Sequence, residues 1–240
     1  MKTIVDFHTH VLPGVDDGSR SLKESIALLK MEAEQGITRV VATPHFYPQH
    51  DSPERFLSRR SVAEARLREE LGKHPGLPEL VIGAEVYYFH GISDSEVLSE
   101  LTIGNKRCIL IEMPPAPWSD YMYRELENIY VNRDLIPVVA HIDRYISRFR
   151  SFGIPQRLAE LPVMVQANAE FFLDRFTSSM AIRMLKEDRI HFLGSDCHNL
   201  TSRSPNLGTV LDLIRSKLGK EKLQTIAANE AVCFGENPMV

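Results

Sequence analysis

The 240-residue sequence is short of cysteine, of charge bias and of long apolar runs, and each shortage excludes something. It holds 3 cysteines, Cys108, Cys197 and Cys233. So odd and sparse a set is not a disulfide framework. No stretch approaches the roughly 18 unbroken apolar residues of a membrane-spanning helix. The opening residues reach Asp6 and His8 before a signal-peptide core could form, so the expected location is the cytoplasm. Basic excess is missing too: 28 Lys+Arg stand against 32 Asp+Glu, a net charge of −4. A generic nucleic-acid binder carries a basic stripe instead. Glycine and proline, at 13 and 14 residues, are too few for a fibrous or disordered chain. What is present is an ordinary globular composition, 43% hydrophobic and 25% charged. The length is one that a single α/β barrel commonly takes.

There is no internal repeat, low-complexity tract or linker, so one domain over 1–240 is expected. Short β-branched or continuously apolar runs at 3–5, 38–42, 80–83, 108–112, 136–140, 163–167 and 190–194 predict strands buried on both faces. Helical patterns separate them. Ser21-Leu-Lys-Glu24 reads as a capping box, with Gly36 as the stop. Ser52-Pro53 puts a cap before a first-turn proline and opens a helix to about Gly72. Ser119 opens a run over 121–133, and 181–187 and 209–218 continue the alternation. Repeated strand–helix units imply parallel strands with right-handed crossovers. Seven such strands suit a closed or nearly closed barrel better than two small domains.

The residues able to bind a metal cluster in a particular way. His8, His10 and Asp17 follow the first expected strand, His45 the second and Glu85 the third. Glu112 ends the fourth, His141 follows the fifth, and Asp196 and His198 follow the last. In a parallel barrel these strand ends share one face, where the βα loops build active sites. Any one of these residues alone reads as an ordinary loop or capping residue; their joint placement carries the inference. His50, His74, His90 and His191 follow no strand end closely and read as surface or structural. Five imidazoles and four carboxylates suit Mn²⁺, Fe²⁺ or Zn²⁺ better than Mg²⁺ or Ca²⁺, which prefer oxygen shells. The set is too large for one ion, so two or three clustered ions sharing a bridging carboxylate are expected. Multi-metal sites of this kind hydrolyse phosphoesters with a hydroxide generated at neutral pH. Arg144 and Arg203, three and five residues past proposed ligands, are candidates to grip phosphate with the guanidinium fork. The bland alternative for each is a surface arginine.

Cys197 through Arg203-Ser204 fits the C-x5-R-[ST] loop of cysteine-dependent phosphatases, in which a thiolate attacks phosphorus. The loop lacks the glycine that lets backbone amides converge, and Cys197 lies between two ligand candidates, where it should point away from both. The metal reading is therefore preferred.

The ligand set resembles the PHP superfamily of polymerase-associated and histidinol-phosphatase domains. Local wording narrows this: Asp6-Phe-His-Thr-His10, Val15-Asp-Asp-Gly-Ser19, Ala42-Thr-Pro-His45, Gly83-Ala-Glu85, Ile111-Glu-Met-Pro114, His141-Ile-Asp-Arg-Tyr145, Gln166-Ala-Asn168 and Ser195-Asp-Cys-His-Asn199. Across nearly the whole chain these are similar to the CpsB/CapC-type bacterial protein-tyrosine phosphatases of capsule and exopolysaccharide export. The resemblance implies a distorted (β/α)7 barrel holding three metals, usually manganese, with Fe²⁺, Zn²⁺ and Mg²⁺ as alternatives. It implies that His8, His10, Glu85 and Asp196 hold one ion, that Glu85 bridges to a second held by Glu112 and His141, and that Asp17, His45 and His198 hold the third. Arg144 and Arg203 match the family's phosphate-gripping arginines. The implied substrate is phosphotyrosine on a bacterial tyrosine autokinase; a homo-oligomer is compatible, and nucleic acid and membrane spanning are not expected. Asp143 stands where the family often has glutamate, and Asn168-Ala-Glu-Phe171 replaces smaller residues at the rim. The rival readings are a small-molecule phosphatase of the histidinol-phosphate kind, a nuclease, and a non-catalytic module, the last opposed by the filled ligand set.

Overall fold

Short buried strands joined by amphipathic helices shape the chain, as a computed structural model describing residues 4–149 and 153–236. The strands are β1 (Val5–Thr9), β2 (Arg39–Ala42), β3 (His45–Phe46), β4 (Glu79–Ile82), β5 (Glu85–Tyr87), β6 (Cys108–Glu112), β7 (Ile136–Val139), β8 (Met164–Asn168) and β9 (Phe192–Gly194). The helices are α1 (Leu22–Glu34), α2 (Pro53–Leu71), α3 (Asp120–Arg133), α4 (Ile142–Phe149), α5 (Ile154–Leu158), α6 (Ala169–Leu173), α7 (Ser178–Lys186), α8 (Leu207–Leu218) and α9 (Lys220–Phe234). All sheet pairs are parallel, in the orders β1-β2-β4 and β3-β5-β6-β7-β8-β9.

Two expected strands turn out to be interrupted rather than finished. Pro44 has no N–H to give a ladder, so β2 stops at Ala42, and β3 resumes at His45. Beside it β4 stops at Ile82 and β5 resumes at Glu85, with His45 paired to Glu85. Thr43 N donates to Thr9 O at 2.8 Å and Gly83 N to Ala42 O at 2.9 Å, so neighbouring chains stay in step across the gaps. At the other edge Asp196 N donates to His8 O at 2.8 Å and His10 N to Cys197 O at 2.9 Å, bringing the chain after β9 back to β1.

The first strand lies further along than 3–5. Thr3 is outside the described residues, and β1 carries Asp6 and His8 fully buried within it. Polar residues read as loop in the sequence are here strand residues with partners on both sides.

Period-2 alternation sorts the core into two parts. Val5, Phe7, Val41, Cys108, Leu110, Val138 and Phe192 form one cluster inside the sheets. Their strand neighbours Val40, Ala42, Ile109, Ile111, Val139 and Leu193 join a larger cluster under the helices. The expected caps are present: Ser21 accepts from Glu24 N, and Ser52 accepts from Arg55 N with Pro53 leading α2. Helix α9 was not expected. It brings Cys233 and Phe234 into the inner cluster, and Cys233 forms a disulfide with Cys108 at the start of β6. This corrects the expectation of no disulfide. The partners are 125 residues apart, and spacing alone cannot reveal that a terminal helix closes over a strand.

Candidate metal centre

All nine proposed ligands meet on one side of the sheets: His8 and His10 at the end of β1 with Asp17 in the loop beyond, His45 and Glu85 at the first residues of β3 and β5, Glu112 at the end of β6, His141 just past β7, and Asp196 and His198 just past β9. Their potential ligand atoms form overlapping groups within 4.8 Å: His10 with Asp17, His45 and His198; His8 with His10 and Glu85; His45 with Glu85 and Glu112. His141 Nε2 lies 2.7 Å from Glu85 Oε1 and 3.7 Å from Glu112 Oε1. Asp196 Oδ1 lies 3.3 Å from His10 Nε2 and 3.7 Å from His8 Nε2. Glu85, 1% exposed, is the hub. The grouping differs slightly from the one the resemblance implies, because His10 and His45 each stand between two groups.

The local backbone is bent to this purpose. The β1–β2 register shifts between Asp6 and Thr9, an irregularity of the kind that re-aims side chains beside active sites. His141 and Asp196 take left-handed φ values of 31° and 54°, uncommon for residues with a Cβ and costing about 1–3 kcal/mol each. Gly194 must be glycine here: a Cβ would lie 2.6 Å from that of His8.

Several supporting residues lie outside the ligand set read from sequence. Asp16 Oδ2 sits 2.7 Å from His10 Nδ1 and accepts from His45 N at 3.0 Å. Gln166 Oε1 sits 3.2 Å from His8 Nδ1 and accepts from His141 N at 2.6 Å, and its amide donates to Asn168 Oδ1. Asn168 Nδ2 in turn donates to Asp196 Oδ2 at 2.9 Å. Carboxylate and amide partners of this kind fix imidazole orientation and ligand basicity. The tandem Asp16-Asp17 and the Gln166-Ala-Asn168 motif were visible in the sequence, which offered Asp17 as a ligand but gave Asp16, Gln166 and Asn168 no supporting role.

Electrostatics favours the ionised form of Glu85 and Asp196, whereas burial first and then Glu85 push the Glu112 carboxyl up. Burial pushes the Glu85 and Asp196 carboxyls up, yet the facing imidazoles, His8 foremost, hold both well below the usual range. Burial lowers the His10 imidazole, but Asp16 outweighs it and holds that ring well above its ordinary value. Even so, Glu85 Oε2, Asp196 Oδ1 and His198 Nε2 are buried and make no aligned hydrogen bond, although imidazole nitrogens stand 2.9 Å from Glu85 Oε2 and 3.3 Å from Asp196 Oδ1. Each such atom costs about 1–3 kcal/mol if left so. Such atoms within a clustered nitrogen–oxygen donor set fit divalent cations of the Mn²⁺, Fe²⁺ or Zn²⁺ type.

Both arginines converge on this cluster. Arg144 NH2 lies 2.6 Å and Arg203 NH2 2.9 Å from the same oxygen, Asp196 Oδ2, and Arg144 NH1 lies 3.3 Å from Glu112 Oε1. Two guanidiniums at the lip of a metal-ligand cluster can together take the oxygens of a phosphoryl group.

Cys197 does not share the site. It is fully buried and turned toward α1, with Sγ 3.8 Å from Glu32 Oε1. Burial first, then Glu32 and Asp6, push its thiol well above the usual range, the opposite of a nucleophilic thiolate. Cys197→Ser is accordingly expected to keep kcat/KM on an aryl phosphate within a few-fold of wild type, because serine can still donate to Glu32. Steady-state kinetics checks this; a loss of several hundredfold with the metal content intact would restore the thiolate mechanism. Of the histidines set aside, His90 stacks on Tyr121 and His191 Nδ1 accepts from Val165 N, both structural roles.

Residues 4–234 match the model of a family described as "Capsular polysaccharide synthesis, CpsB/CapC". Tyrosine-protein phosphatase CpsB of Streptococcus pneumoniae is 29% identical over 98% of this chain and 96% of its own length. Tyrosine-protein phosphatase YwqE of Bacillus subtilis is 26% identical over 91% and 86%. A chain from the crystal structures of those two proteins, described as unique metal-dependent tyrosine phosphatases, superposes with a TM-score of 0.86 at 22% identity, over 98% of this chain and 96% of that one. At that identity the superposition speaks for the fold.

Proposed function

Since the chain belongs to the CpsB/CapC family, we propose that it is a metal-dependent protein-tyrosine phosphatase, and that its nine clustered ligands hold three ions, manganese in the first instance. The observation that carries the reading is the buried cluster of imidazole and carboxylate ligand atoms, among them Glu85 Oε2, Asp196 Oδ1 and His198 Nε2, which make no hydrogen bond, beside two arginines that meet at Asp196. The ligands would be His8, His10, Asp17, His45, Glu85, Glu112, His141, Asp196 and His198. Ions held there supply Lewis acidity and a nucleophile drawn from water at neutral pH.

The remaining work falls to the chain's own groups. Arg144 and Arg203 bind and orient the non-bridging phosphoryl oxygens, positioning on which phosphoryl transfer mainly depends. Asp196, holding both guanidiniums, ties that grip to the ligand cluster. Asp16 and Gln166 keep the His10 and His8 rings from turning. Tyr47 and Tyr87, with ring centres 5.5 Å apart, stand beside His45 and Glu112 and offer aromatic surface to a phenyl phosphate.

The two parallel sheets are read as one distorted (β/α)7 barrel in a single domain over 1–240, with β2–β3 and β4–β5 each counted as one interrupted strand. The substrate is phosphotyrosine on a protein, a bacterial tyrosine autokinase being the partner the family suggests. Among the described residues no helix is long and apolar enough to cross a membrane, and a cytoplasmic location is proposed. The Cys108–Cys233 disulfide sits at the opposite end of β6 from Glu112, away from the ligand cluster.

The test is a panel of phosphotyrosine peptide, histidinol phosphate and single-stranded DNA, assayed with Mn²⁺ and again after chelation. Turnover of the peptide that chelation abolishes and Mn²⁺ restores is expected. Preference for histidinol phosphate or DNA would transfer the reading to a rival of the same fold. Full peptide turnover by the stripped protein would remove the metal mechanism.

A further inference from the structure

A pocket of about 370 Å³ opens directly beside the metal centre, sharing His45 and Asp17 with it. Its far wall is built by the first turns of α2 and the segment before them, through Arg55, Arg59 and Asp51. The two arginines are four residues apart, so they rise from the same helix face one turn above the other. Asp51, only 11% exposed, ion-pairs with Arg59 NH1, while Arg55 Nε reaches it no closer than 3.6 Å. Arg55 and Arg59 remain 76% and 44% exposed.

Charge counting separates the two ends. At the metal end Asp16 is matched by His10 at 2.7 Å, and Asp17 belongs to the ligand set. At the helix end two guanidiniums face one carboxylate, so one positive charge and most of their N–H donors are uncommitted. An arginine fork is suited to carboxylate or phosphate oxygens. From this geometry we propose that Arg55 and Arg59 form a second anionic subsite, which takes a negatively charged group flanking the scissile phosphotyrosine on the substrate chain. That group is a glutamate or aspartate carboxylate, or the phosphate of a neighbouring phosphotyrosine. Arg55 and Arg59 thereby set sequence preference, whereas Arg144 and Arg203 hold the reacting group. The inference rests on the phosphatase reading above.

Three peptides of one sequence decide it, with the residues flanking the phosphotyrosine being glutamate, glutamine or a second phosphotyrosine. Exposed ion pairs are worth at most about fivefold each, so the wild-type enzyme should favour the glutamate over the glutamine peptide by roughly five- to tenfold in kcat/KM, through KM. A larger preference for the doubly phosphorylated peptide identifies phosphate as the group bound; a smaller one identifies the carboxylate. The preference should fall as salt is raised, because exposed charges are screened. In Arg55→Gln/Arg59→Gln the ratio between charged and neutral peptides should approach one, and in Arg55→Glu/Arg59→Glu it should invert. Equal kcat/KM for all three peptides with the wild-type enzyme overturns the subsite and leaves the phosphatase intact, and this comparison needs no variant to fold. A preference that survives unchanged in the folded glutamine variant also overturns it. Failure of the wild type to turn over any of the peptides overturns both readings.

Discussion

Replacing Glu85 by glutamine should lower aryl-phosphate turnover by on the order of 10³ or more, because groups that work as a unit fail as a unit. The change keeps size and shape and alters only charge and donor pattern. In the wild type Oε1 lies 2.7 Å from His141 Nε2, while Oε2 lies 3.2 Å from His8 Nε2 and 2.9 Å from His45 Nδ1. A carboxylate can accept from or coordinate on all these sides at once; an amide offers one acceptor oxygen and an NH2 that needs acceptors of its own. At 1% exposure no water can substitute for the lost oxygen. The prediction therefore has a second readout: metal bound per chain should fall together with turnover. Metal analysis beside steady-state kinetics, with thermal melting to show that the variant folds, checks it. Full metal content with wild-type turnover would remove Glu85 from the hub. Glu112→Gln is the milder comparison, since Glu112 sits at the rim with 12% of its side chain exposed.

Much of this centre was legible in the sequence because parallel strands direct their carboxyl ends to one face. Placing His141, Asp196 and His198 after apolar runs was enough to collect them. The positions of His45 and Glu85 were less legible. Both lie in strand pieces that resume after Pro44 and after Gly83-Ala84, and a proline or glycine in a sequence ordinarily marks an end. The ladder continues because Thr9 and Ala42 supply acceptors across the gap, a tertiary fact. The sequence offered Asp17 as a ligand, but the supporting role of Asp16 was hidden for a related reason. Which of two adjacent carboxylates turns inward depends on the loop path, here set by Gly18, where a Cβ would lie 2.3 Å from His10 O. Nor could the sequence show that Asp6 of β1, Glu32 of α1 and Cys197 would be packed together. That packing is what removes Cys197 from contention as a nucleophile.

The arginines give the second large effect, and one that separates binding of phosphate from binding of metal. Arg144 and Arg203 both lie against Asp196 Oδ2, at 2.6 and 2.9 Å. Each is a little over a third exposed, so a phosphate arriving from solvent can reach their free N–H groups. Removing a hydrogen bond to a charged group costs roughly 1.5–3 kcal/mol, about a tenfold to hundredfold loss. Arg144→Ala and Arg203→Ala should each lower kcat/KM for an aryl phosphate by that amount. Metal content should stay at the wild-type level, because Asn168 Nδ2 still holds Asp196 Oδ2 at 2.9 Å when either guanidinium is gone. Lysine at position 144 should recover only part of the loss: an ammonium restores the charge but cannot span Glu112 and Asp196 as the fork does. The two losses should not multiply. Both guanidiniums serve one phosphoryl group and one carboxylate oxygen, and neighbours that share a partner couple. A double variant should thus fall short of the product of the single effects. Kinetics on the two single variants and the double, each beside a metal assay, make the comparison. Wild-type kinetics in both single variants, or metal lost from either, would break the assignment of the phosphate grip.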